Sequence, residues 1–130
     1  METQNKPRPS AAENARIEVD ILWAAAHVAL VYAWRAKDIA REATVQWRFA
    51  SSELAIKKNN EKIYPHANRT HEFVDAKVAA ELAWTNVSDA VATAKIAKAK
   101  AKMILEDARK AGIYARSLEM DAKNGNTSTP

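Results

Sequence analysis

Small apolar residues recur along this chain in alternating steps of three and four. The first series runs Ala12, Ala15, Val19, Leu22, Ala26, Ala29, Ala33, Ala36, Ala40, Ala43, Trp47, Ala50, Leu54. The second runs Phe73, Ala76, Ala80, Ala83, Val87, Ala90, Ala94, Ala97, Ala101, Ile104, Ala108, Ala111, Ala115, Leu118, Ala122. All 28 positions are apolar, and 20 of the chain's 28 alanines fall on them. Alanine favours helix wherever it stands, but propensity alone would scatter it around the helix. Confinement to one stripe predicts two amphipathic helices. A sustained 3.5-residue period adds a left-handed supercoil.

Punctuation between the two series sets the boundaries. Residues 1–9 are polar with two prolines and read as a flexible arm. Ser10 and Glu13 fit a capping box, the serine hydroxyl taking the Glu13 amide while the glutamate reaches back to the Ser10 amide. Residues 59–69 contain Asn59, Asn60, Asn68 and Pro65 and read as a loop. Asn68 or Thr70 can cap the second helix, with Glu72 and Asp75 in its first turn suiting the helix dipole. Gly112 does not interrupt the pattern, and residues 123–130 read as a polar tail. The expectation is an all-α fold, a long antiparallel hairpin of helix 10–58, loop 59–69 and helix 70–122. At 1.5 Å per residue each helix is about 75 Å long.

An alanine seam lets two backbones approach closely but buries little. Each alanine in place of leucine forgoes about three methylene equivalents, at about 0.8 kcal/mol apiece. Large apolar residues lie instead off the seam: Ile17, Ile21, Trp23, Val28, Leu30, Val31, Tyr32 and Trp34 in the first helix, and Met103, Leu105, Ile113, Tyr114 and Met120 in the second. A helix that is apolar on every side is normally covered on every side. These residues, except the terminal Met120, form the expected association surface at the end remote from the loop. The expected architecture is a hairpin packed into a larger helical bundle. Trp23, Trp34, Trp47 and Trp84 are the expected packing anchors.

Composition narrows the chemistry. The 130 residues hold two Gly, four Pro and no Cys. That excludes a disulfide scaffold, a thiolate metal site, a cysteine nucleophile and a glycine-rich phosphate loop. No glutamate has a histidine three residues on, as a di-iron bundle would require. His66 and His71 flank the loop and read as a solvated helix start. His27 shares a stripe with Glu13, Asp20, Trp34 and Arg41, and reads as a paired, semi-buried interface histidine. No catalytic residue, metal or cofactor is expected.

The net charge of +4 is spread thinly over tails and loop. One concentration stands out: Lys95, Lys98, Lys102, Arg109 and Arg116 share a stripe beside the seam. Such a stripe can follow phosphates or anionic headgroups, or serve as a solvated flank. No signal peptide is expected. The apolar run from Ile21 to Trp34 has 14 residues, short of the roughly 20 needed to span a bilayer.

The function expected is that of a non-catalytic structural subunit, a hairpin that oligomerises or docks into a larger complex such as a virion. Its partners would be copies of itself or other protein subunits. A membrane-surface helical protein is the second expectation, and a basic nucleic-acid accessory protein the third.

Overall fold

The computed structural model describes residues 8, 10–63 and 70–128. The chain forms two helices packed against each other as an all-α hairpin, α1 (Ala11–Ile63) and α2 (Thr70–Ser128). Among the described residues there is no strand.

Helix α1 starts on the hydroxyl half of the expected capping box. The Glu13 amide donates to Ser10 Oγ at 3.1 Å, and the Asn14 amide donates to the Ser10 carbonyl at 2.9 Å. The first bond satisfies one of the orphan donors of the first turn, and the second is the helix's first regular backbone bond. Deeper inside, hydroxyl residues bond back to their own helix: Thr44 to the Ala40 carbonyl, Ser52 to that of Arg48, and Thr85 to that of Glu81. Such back-bonding is how serine and threonine are accommodated within a helix.

Both helices run further than the sequence pattern suggests. α1 continues through Asn59 and Asn60 to Ile63, and α2 continues through Gly125 to Ser128. Asparagine and glycine cost a helix at most about 1 kcal/mol each relative to alanine, and neither blocks it. The arm, apart from Arg8, the loop beyond Ile63, and the last two residues lie outside the described residues, as does the Asn68 cap.

Gly112 sits within α2, and a methyl group added at its Cα would meet nothing within 4 Å. Gly112→Ala should therefore raise stability by about 0.5–1 kcal/mol. A thermal melt followed by circular dichroism checks this, and a loss of stability would show that the position is crowded.

The chain divides into two compact units. One comprises the chain up to Leu30 and from Ala99 onward. Its buried residues are Val19, Ala26, Ala101, Ala108 and Ala115. Arg16 Nε lies 3.6 Å from Glu119 Oε1, which joins the start of α1 to the end of α2. The other unit spans Val31–Lys98. It buries Ala33, Ala36, Ala40, Ala80, Val87 and Ala97. Here Lys57 Nζ lies 3.4 Å from Glu72 Oε2, and Trp47 meets Trp84 with ring centroids 5.1 Å apart at a tilt of 55°. Both bridges are solvent-exposed, so each contributes at most about 1 kcal/mol.

All of these buried residues belong to the two seam series. The remaining seam positions are half-buried, except Ala122, which is exposed. Within each helix most of the deepest positions recur every seven residues: 19, 26, 33 and 40 in α1, and 80, 87, 101, 108 and 115 in α2. This is the repeat of a coiled-coil contact.

Candidate functional site

The seam leaves the large apolar residues outside. Among the described residues, no buried side chain is larger than valine. In the unit closed by the chain ends, Ile17, Ile21, Trp23, Val28, Met103, Ile113 and Tyr114 are exposed, Val28 and Met103 at 68% each. Leu30 and Leu105 are half-buried there. In the Val31–Lys98 unit, Tyr32 and Trp34 are exposed and Val31 is half-buried. Of the four tryptophans, Trp47 is half-buried, while Trp23, Trp34 and Trp84 are exposed to about half their surface.

The exposed apolar surface extends beyond the residues expected from sequence at the end remote from the loop. The Val31–Lys98 unit also exposes Ile39, Val45, Phe49, Ile56, Val74, Val78, Leu82 and Ile96. The physical reason is a second repeat with the same three-four step. In α1 it runs Ile17, Ile21, Ala24, Val28, Val31, then Arg35, Asp38, Glu42, then Val45, Phe49, Ser52, Ile56. In α2 it includes Val78, Leu82, Ala92, Ile96, Ala99 and Met103. These positions lie two residues on from seam positions, roughly 160° round the helix. They form the back of each helix. The signal was legible as a periodicity, though masked by the stronger alanine seam.

The five basic residues of the stripe on α2 are all exposed. Lys95 and Lys98 belong to the Val31–Lys98 unit, and Lys102, Arg109 and Arg116 to the other. Arg109 lies 3.9 Å from Glu106 on its own helix, which weakens its field. His27 is exposed in the hairpin. It follows a seam position directly and so lies on the flank of α1, about 100° round the helix from the seam. His71 lies 3.6 Å from Asp75 one turn on, also exposed, and His66 lies outside the described residues. Among the described residues, no three His, Cys, Asp or Glu side chains gather into a metal-binding group.

Two open grooves mark the Val31–Lys98 unit. One, of about 510 Å³, is lined by Trp47, Ser51, Leu54, Lys77, Ala80, Glu81, Trp84 and Thr85. The other, of about 490 Å³, runs between Ile39, Glu42, Ala43 and Gln46 on α1 and Asn86, Asp89, Ala90 and Thr93 on α2. Both are furrows flanking a close helix pair.

By length and composition α1 can cross a membrane. An 18-residue window within it averages 1.4 in hydropathy, and 17% of that window is buried. The apolar segment is thus longer than Ile21–Trp34 alone. Extending it back to Ile17 adds Val19, at the cost of admitting Glu18 and Asp20.

The chain matches no protein-family model, and no curated protein or solved structure is similar to it.

Proposed function

We propose that this chain is a non-catalytic assembly subunit. Its alanine seam joins its own two helices, and its outward apolar side chains pack against other protein chains, copies of itself first among them. The observation that carries this reading is the inversion of size across the fold. Valine and alanine are inside, while Trp34, Phe49, Tyr114 and Met103 each stand about 60% exposed or more. Burying a large apolar side chain is worth about 1.5–3 kcal/mol, and this hairpin forgoes that repeatedly.

Surface area supports the same reading. The chain exposes 10444 Å². A monomeric globular protein of this mass exposes about 6,800 Å². The surplus is about 3,600 Å², against about 800 Å² per partner in a standard protein interface. Protein is a better cover than lipid, because a span over residues 17–34 would carry His27 near its middle and Glu18 and Asp20 within its first turn.

Self-association shifts with concentration by mass action. The test is light scattering after size exclusion, over about a hundredfold range of protein concentration. A discrete multimer that dissociates on dilution, or persists throughout, is the expected result. A monomer at every concentration would overturn self-assembly, and binding to anionic or neutral vesicles under the same conditions would assign the apolar faces to lipid.

A further inference from the structure

The back stripe of α1 carries its own instructions for a partner. We propose that two copies of this chain pack their α1 helices antiparallel along this stripe, about a twofold axis midway between positions 36 and 37. This inference rests on the self-assembly reading and adds to it the identity of the contact.

α1 is one uninterrupted helix from Ala11 to Ile63. Its back stripe is exposed throughout, except for the half-buried Val31. In a twofold contact the pairing is reciprocal: if one residue opposes a second, the second opposes the first. A single pair therefore names the whole register. The charges at the centre of the stripe choose it.

Setting Arg35 opposite Asp38 of the second copy places two pairs of opposite charge around the axis. Glu42 then falls opposite Val31, one turn from the same arginine, so each guanidinium meets Asp38 and Glu42 of the other copy. A guanidinium presents several donors in a fork suited to carboxylates. The same register sets Val28 over Val45, the small Ala24 over the large Phe49, and Ile17 over Ile56. On one flank it brings Trp34 beside Arg41 of the second copy, a cation–π pairing.

A shift of one heptad destroys this agreement. In one direction Asp38 falls on Val28 and Arg35 on Val31. In the other, Asp38 falls on Glu42 and Arg35 on Val45. Of these three registers, only the central one pairs charge with opposite charge, and it keeps the layers Val28–Val45, Ala24–Phe49 and Ile17–Ile56 apolar, while Val31 meets Glu42 and Ile21 meets Ser52. Within one chain Asp38 is already held 3.8 Å from Arg41, an exposed contact that the second copy would supplement. The surplus surface of the chain exceeds what one such contact covers, so the back of α2 stays open for further neighbours.

The chain has no cysteine, so introduced thiols report proximity cleanly. A mixture of Val28→Cys and Val45→Cys chains should form a disulfide-linked heterodimer under mild oxidation. Val28→Cys alone should not, because its two copies would sit about 25 Å apart along the helices. Arg35→Asp sets like charges opposite each other and should weaken association roughly tenfold or more. The double variant Arg35→Asp with Asp38→Arg should restore it in part, Glu42 having lost its arginine, with helicity by circular dichroism unchanged in both variants. A multimer that gives neither the cross-link nor the charge rescue would overturn this contact and leave the assembly reading standing. A chain that is monomeric at every concentration would overturn both.

Discussion

Leucine at Ala26 or at Ala108 is expected to lower the stability of the hairpin by about 1–3 kcal/mol. Both alanines are fully buried, at 0% exposure. Alanine and leucine differ little in helix propensity, so the substitution isolates packing. Three added carbons at a seam built from alanine and valine must push the helices apart or force a strained rotamer. For a chain of 130 residues the melting temperature should fall by roughly 3–15 °C. Leucine at Ala25, exposed on the same turn, is the control and should change stability by less than about 0.5 kcal/mol. Equal melting of all three variants would mean that the seam is open.

Glutamate at both Ile21 and Val28 should have a different and larger effect, on association and not on folding. These side chains are 58% and 68% exposed in the hairpin. Their replacement removes little that holds α1 against α2, so helicity and melting at low concentration should be nearly unchanged. If other chains cover them, each loses about 1.5–3 kcal/mol of burial. The dissociation constant should then rise about a hundredfold or more, at a factor of ten per 1.4 kcal/mol, before the cost of a buried charge is added. Light scattering reads this directly. An unchanged multimer would show that the chain assembles through other faces, and loss of helicity would show that these residues support the fold.

The two experiments separate two periodicities in one helix. The seam was the easier to read, because alanine at every third and fourth position has no other explanation as economical as close packing. The back stripe was harder. Arg35, Asp38 and Glu42 interrupt it, and its members mix with apolar residues at neighbouring positions such as Trp23, Tyr32 and Trp34. Reading them all as one surface at the chain ends blurred a repeat that extends to Ile56. The helix ends were misjudged for a simpler reason. Asn59, Asn60 and Gly125 are weak helix formers, yet within a packed helix their cost is small.

That the chain is helical, that alanine lines its contact and that its largest side chains avoid that contact all follow from residue spacing and size, which are local. How much a single hairpin can cover emerges only once the two helices pack. One close-packed partner helix shields a narrow stripe of α1, and the area left in water follows from the folded chain as a whole. That uncovered area, more than any residue in it, is what supports the proposal that this hairpin assembles with other chains.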